Sequence, residues 1–195
     1  MARRPGGRIL RPGSRRSLKV WVAVGSDSDL PMMEETLRAL EEFGIPYEVD
    51  ISSAHRTPGM TAEKARGAER RGFGAIIVGA GHAAHLGGAV AAHTTLPVIG
   101  VPLPSSSLQG LDALLSTVQM PGGVPVATMA IGKSGALNAA IFAAQILATR
   151  DPDLRRRLQR HKARLAAKVI DKNRTLRNAG AGPKARGDRA EIEEG

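Results

Sequence analysis

The sequence predicts an α/β domain: a five-stranded parallel sheet with helices on both faces. Three observations predict it. Aliphatic runs alternate five times with segments of helical spacing. Those runs read as apolar stretches, as strands covered on both faces do. Hydrophobic residues make up 42% of the chain but only five are aromatic, so the core is built from Ala, Val, Ile and Leu. Strand–helix alternation calls for parallel strands joined by crossovers that place helices on the sheet faces.

The elements follow in order. Val20-Trp21-Val22-Ala23-Val24 is a β-branched run that ends in Gly25-Ser26-Asp27-Ser28-Asp29. Residues 30–43 carry Leu30, Met33, Leu37 and Leu40 at helical spacing, with Glu34, Glu35, Glu41 and Glu42 elsewhere, and Gly44 closes the helix. A second strand, 47–51, leads into Ser52-Ser53-Ala54-His55-Arg56-Thr57-Pro58 and a helix over about 59–71. A third strand, 75–78, enters a Gly/Ala/His loop and a short Ala-rich helix. The fourth, 97–101, is followed by Ser105-Ser106-Ser107 and a helix near 110–118. The fifth, 125–129, precedes an Ala-rich helix over 134–149.

The expected domains are a basic disordered tail over 1–18, the α/β domain over 19–150, a helical arm over 151–177 and a disordered tail over 178–195. In the arm, Leu154, Leu158, Leu165 and Val169 share one face among many Arg and Lys. That pattern fits a surface helix or an arm packing on a neighbouring subunit.

The net charge of +10 is unevenly placed. Residues 1–19 carry +7 and residues 150–195 carry another +7, while 20–149 carry −4. Basic ends of this kind raise the question of nucleic acid. None of the five aromatic residues lies in either end, so the stacking platform of a single-strand binder is missing, and nucleic acid is not the expected partner. The chain has no cysteine, which excludes a disulfide scaffold, a thiolate nucleophile and Cys-ligated metal. Residues 72–111 lack Asp, Glu, Lys and Arg, but eight glycines and three prolines rule out a membrane-spanning helix there. The acid-free start has no apolar core of a secretory signal; its composition fits a disordered tail or an organelle transit peptide. The expectation is a cytoplasmic protein.

In a doubly wound sheet, ligands bind outside the carboxyl ends of the strands, near the point where the strand order reverses. Each chemically interesting cluster directly follows a strand: 26–29, 53–56, 79–85 and 105–107. The first fits a plain helix start, with Ser or Asp capping backbone N–H groups and Pro31 in the first turn. It fits a phosphate site equally, with Asp29 holding a ribose hydroxyl. His55 and Arg56 offer a proton-transfer group beside a phosphate clamp, although an ordinary solvated Arg is the plain alternative.

Gly79-Ala80-Gly81-His82-Ala83-Ala84 matches a relaxed dinucleotide fingerprint. It follows the third strand, and Val101 and Pro102 stand where the ribose-binding acid belongs, so NAD binding is rejected. His82, His85 and His93 lack a local acid or Cys to complete a metal site. Lys133-Ser134 lacks the glycine-rich run of a P-loop.

Together, V-A-V-G-S-D-S-D, S-A-H-R-T-P, G-A-G-x-A-A-H-L, V-Q-M-P-G-G-V-P-V-A-T and A-I-G-K-S-G-A-L-N-A-A resemble the bacterial N5-carboxyaminoimidazole ribonucleotide mutase family, class I catalytic subunits of phosphoribosylaminoimidazole carboxylase. The resemblance runs over roughly 19–165. It implies a flavodoxin-like three-layer α/β/α sandwich, a homo-octamer, no metal and no organic cofactor. The implied reaction converts N5-carboxyaminoimidazole ribonucleotide to 4-carboxyaminoimidazole ribonucleotide in purine synthesis. A functional link to the carboxyaminoimidazole ribonucleotide synthase that makes the labile carbamate follows.

On this template His55 is the general acid/base. Ser26, Ser28, Ser53 and Arg56 hold the phosphate and Asp29 the ribose. Ala54, Ala80, Gly81, His82, Ala83, His85 and Leu86 line the rest of the substrate site. The animal-type carboxylase has Lys at the position of Arg56 and an Asn-Gly-Leu-Gly loop after the third strand. Arg56 and Ala83-Ala84-His85-Leu86 therefore favour the mutase.

Two departures stand out. The family has Gly at His82 and Pro at Gly87, both expected in the loop around the migrating carboxylate. His82 can turn to solvent, donate to that carboxylate or fill the pocket, and a glycine there fits a positive φ, which His tolerates better than β-branched residues. A related carboxylase acting on another heteroaromatic nucleotide is the alternative these departures raise.

Overall fold

The structure is a computed structural model that describes residues 18–178. The segments 1–18 and 178–195, expected as disordered tails, lie almost wholly outside the described residues. Eleven elements follow in order: β1 (Lys19–Val24), α1 (Leu30–Glu42), β2 (Tyr47–Ile51), α2 (Pro58–Gly67), β3 (Phe73–Gly81), α3 (Leu86–Ala91), β4 (Val98–Leu103), α4 (Leu111–Val118), β5 (Ala127–Thr128), α5 (Lys133–Ala148) and α6 (Pro152–Asn178). The strands form one parallel sheet in the order β2-β1-β3-β4-β5, the flavodoxin-like order.

Successive residues of a strand point to opposite faces, and the two cores divide accordingly. Val20, Val22 and Val24 of β1 join Ile77, Ile99 and Val101 beneath α1 and α5. Trp21 and Ala23 face the other way, with Ile76, Val78 and Val98 under α2, α3 and α4. The Ala-rich face of α5, Ala136, Ala139, Ala140, Ala143 and Ala144, is fully buried. Small side chains there let α1 approach closely enough for the buried Thr36 Oγ1 to donate to the Ala136 carbonyl at 2.8 Å. That bond satisfies a hydroxyl that would otherwise cost free energy to bury.

Three boundaries differ most from the sequence reading. β3 runs from Phe73 to Gly81, so Gly79-Ala80-Gly81, expected in a loop, is strand paired with Val101, Pro102 and Leu103 of β4. β5 has two residues rather than the five expected over 125–129. Pro125 has no N–H to give a ladder, while the Met129 N–H still reaches the Gly100 carbonyl at 2.8 Å. α2 ends at Gly67, and the chain turns through 68–72 to a left-handed Gly72 at φ +84°.

The described chain falls into two compact units, divided between Leu158 and Gln159. In the first, Leu154 at the start of α6 is buried in the α1/α5 core. In the second, the remainder of α6 continues as helix with Leu165, Val169, Ile170 and Leu176 exposed. Among the described residues no helix is long and apolar enough to cross a membrane.

Candidate active site

The strand order reverses between β1 and β3. The chain leaves β1 toward α1 on one face and β3 toward α3 on the other, so a crevice opens at their carboxyl ends. A cleft of about 590 Å³ occupies it. All four post-strand clusters contribute to its walls. Gly25, Ser26, Ser28 and Asp29 come from the β1 end, and Ser53, Ala54, His55 and Arg56 from the β2 end. Ala80, Gly81, His82, Ala83, His85 and Leu86 come from β3 and the start of α3, and Ser105 from the β4 end. The structure thus brings together every residue assigned to the site from sequence and adds Gly25 and Ser105. Ser105 belongs to the 105–107 cluster that follows β4, the neighbour of β3, and that place at a strand end is the sequence signal that points to it.

Residues 27–29 form a single 3₁₀ turn into α1. Ser26 and Asp29 make no side-chain cap, so the plain helix-start reading is not what these groups do. Instead Ser28 Oγ donates to Ser26 Oγ at 3.1 Å, and Ser26 Oγ donates to Asp27 Oδ1 at 2.9 Å. The Ser26 hydroxyl and the Ser28 backbone N–H hold the Asp27 carboxyl below its usual range. Asp29 is buried, and that burial pushes its carboxyl upward, opposed by the Ser26 backbone N–H and the nearby His82.

The β2–α2 loop is stapled from within. The Ser53 N–H donates to Thr57 Oγ1 at 3.2 Å, the Thr57 N–H to the Ser53 carbonyl at 2.9 Å, and Pro58 opens α2. Ser53 Oγ accepts from both the Arg56 backbone N–H, at 3.1 Å, and Arg56 Nε, at 3.4 Å. The guanidinium donates to the Gly25 carbonyl at 3.2 Å, which places Arg56 across the β1 and β2 ends.

His55 Nε2 and His85 Nδ1 lie 2.9 Å apart, with the rings edge to face. One ring donates and the other accepts, so the pair can hold and move a proton. His82 has φ +53°, which agrees with a position suited to glycine, and its Nδ1 meets Ser105 Oγ at 3.2 Å. His93 is elsewhere, beside Arg66. Among the described residues no group of three or more His, Asp or Glu is placed to hold a metal ion. Gly87 corrects an expectation: it is buried in the first turn of α3 against Val126, not in the loop around the cleft. A proline fits that turn, where a backbone N–H is free of helical bonding, so the departure at Gly87 bears on packing.

Residues 19–168 match the family model described as AIR carboxylase. The chain is 53% identical over 162 residues to the N5-carboxyaminoimidazole ribonucleotide mutase of Thermotoga maritima, covering 83% of this chain and 94% of that protein. It is 54% identical over 158 residues to the protein of that name from Mycobacterium tuberculosis, covering 81% and 90%. Among solved structures, Treponema denticola PurE superposes with a TM-score of 0.72 at 29% identity, covering 80% of this chain and 97% of that one. A family model matched from β1 into α6, on a sheet whose reversal point carries the family's motifs, leads to one conclusion: the chain belongs to the AIR carboxylase family.

Proposed function

We propose that this chain converts N5-carboxyaminoimidazole ribonucleotide to 4-carboxyaminoimidazole ribonucleotide, with His55 transferring the proton. The observation that carries the assignment of His55 is its 2.9 Å contact with His85 inside a cleft that also presents Arg56 and four serines. Arg56, Ser53, Ser26 and Ser28 suit a phosphate, and the buried Asp29 suits a ribose hydroxyl.

The chemistry uses one imidazole twice. Protonated His55 gives its proton to the carbamate nitrogen, the N–C bond breaks with its electrons going to nitrogen, and carbon dioxide is released. The aminoimidazole left behind is an enamine, nucleophilic at its ring carbon. That carbon attacks the retained carbon dioxide, and neutral His55 removes the ring proton, which restores the aromatic ring and the starting state of the enzyme. An imidazole can alternate these roles near neutral pH. Retaining carbon dioxide makes recapture effectively unimolecular, and the small residues Ala80, Gly81 and Ala83 let the walls approach the ring.

A homo-octamer belongs to the same reading. Leu108, Leu111, Leu115 and Val118 expose a row of apolar side chains on and before α4, which suits burial against another copy; sedimentation would report the mass of eight chains. A cytoplasmic location and supply of the carbamate by its synthase complete the proposal. His55→Asn tests the chemistry: conversion of N5-carboxyaminoimidazole ribonucleotide is expected to fall at least about 10²-fold with nucleotide binding retained. Full turnover in that variant overturns the role of His55. Wild-type protein that prefers aminoimidazole ribonucleotide plus bicarbonate overturns the mutase assignment.

A further inference from the structure

We propose that His82 is a specificity-determining residue: held at Nδ1 by Ser105, its ring presents Nε2 to the cleft as a ligand for a carboxylate, so that the site favours the carboxylated nucleotide over its decarboxylated form. The inference rests on the reading of this cleft as the ribonucleotide site.

Three observations carry it. First, His82 occupies a left-handed conformation, φ +53°, that is strained for a side-chain-bearing residue and that glycine adopts freely. Strain of this kind persists where the surroundings hold it, and it clusters at functional sites. Second, the surroundings do hold it. Gly81 pairs with Leu103 across β3 and β4, and the Ser105 N–H bonds the Leu103 carbonyl at 3.0 Å. A Cβ on Gly81 would lie 1.6 Å from Ser105 Oγ, so the absence of a side chain at Gly81 makes room for the hydroxyl that meets His82.

Third, the other cleft histidines are engaged with each other. His55 and His85 form the proton-transfer pair, and Arg56 is drawn toward Ser53 and Gly25 at the β2 side. His82 is the remaining imidazole of the cleft, on the β3–β4 side, within electrostatic reach of the buried Asp29. An incoming carboxylate close to Asp29 is repelled by it, and an imidazole N–H donated to that carboxylate offsets the repulsion. When Ser105 donates to Nδ1, the neutral ring carries its proton on Nε2, the tautomer a carboxylate requires. Ser105 is then a positioning residue. Aminoimidazole ribonucleotide has the same phosphate and ribose but no carboxylate, so it gains nothing from this pair.

The test compares dissociation constants for 4-carboxyaminoimidazole ribonucleotide and aminoimidazole ribonucleotide by titration calorimetry. Wild type, His82→Gly, His82→Gln and Ser105→Ala are measured. Glycine accepts the backbone conformation, so His82→Gly probes the side chain with the fold intact. It is expected to weaken the carboxylated nucleotide about tenfold with little change for the other, the size of a hydrogen bond to a charged group. Ser105→Ala is expected to reduce the ratio in the same direction by less, and His82→Gln to recover part of it through its amide N–H. A wild type that binds and converts nucleotide, with a ratio unchanged in His82→Gly, overturns this inference alone. A wild type that binds neither nucleotide overturns it together with the reading of the cleft.

Discussion

Replacing Gly81 by alanine places a methyl carbon where the structure already holds Ser105. The added Cβ lies 1.6 Å from Ser105 Oγ, 2.9 Å from Ser105 Cβ and 3.3 Å from the Leu103 carbonyl oxygen. The hydroxyl can escape by rotating about χ1. The Ser105 Cβ cannot, because it follows the backbone, and carbon atoms pack best at about 3.5–4.0 Å. The loop after β4 must therefore give way. Overpacking of this kind costs about 1–3 kcal/mol. Gly81 lies in β3 with no positive φ, so alanine also returns roughly 0.5–1 kcal/mol of backbone ordering. The net loss is about 1–2 kcal/mol, which lowers Tm by roughly 2–8 °C in a chain of this size. The single tryptophan, Trp21, is buried in β1, so its fluorescence during heating at fixed protein concentration reads the transition. Ser105→Gly removes both obstructing atoms. Gly81→Ala with Ser105→Gly is expected to melt above Gly81→Ala alone, although a new glycine by itself costs ordering entropy. Simple additivity of the two losses would refute the steric argument.

Two further outcomes follow from the same geometry. Gly135→Ala is expected to lower Tm by more than Gly81→Ala, at about 3 kcal/mol, because its Cβ lies 1.6 Å from a backbone atom, the Ala130 carbonyl oxygen; a milder loss than that of Gly81→Ala counts against the argument. Asp29→Asn is expected to raise Tm at pH 7 while weakening nucleotide binding. Burial raises the folded-state pKa of Asp29 above its unfolded value, so stability from this group is fully present in acid and declines as pH rises toward neutrality. The advantage of Asp29→Asn should therefore vanish by about pH 3, below the unfolded carboxylate pKa of about 3.9. Melting curves at both pH values decide it, and a wild type that outlasts Asp29→Asn at pH 7 contradicts the assigned cause.

The order of elements was legible because a parallel sheet covered on both faces leaves a plain imprint: 20–24, 75–78 and 97–101 are apolar whichever way a side chain points. Strand ends were less legible. Gly79-Ala80-Gly81 has the composition of a loop, yet it pairs as strand because Met33 and Ser105 occupy the space where its Cβ atoms would stand. Nothing within the local sequence shows those two neighbours. The clusters of the site were legible as strand ends, since topology carries every such end to one edge. Their pairings were not. His55 and His85 are thirty residues apart in sequence, and their contact depends on β1 lying between β2 and β3. The same holds for Ser105 and His82, which meet because β3 and β4 are adjacent.

The segment that builds the cleft carries −4, and Asp27 and Asp29 stand among the groups proposed to hold a phosphate. Long-range attraction from this segment does not bring an anion there, so the donors must already be aimed. Ser53 is: among the described residues its Oγ accepts twice from Arg56 and donates to none, so its O–H is available to an anion that Arg56 also meets. Ser26 and Ser28 differ, because their hydroxyls form a chain that ends on Asp27. A phosphate must take the Ser26 hydroxyl from a carboxylate and the Ser28 hydroxyl from Ser26, and the exchange costs nearly what it returns. On the proposed phosphate site, Ser53 and Arg56 would therefore supply most of the affinity, while Ser26 and Ser28 would set the position of the group. Truncating Ser53 should weaken nucleotide binding more than truncating Ser26, even though Ser26 lies nearer the helix start.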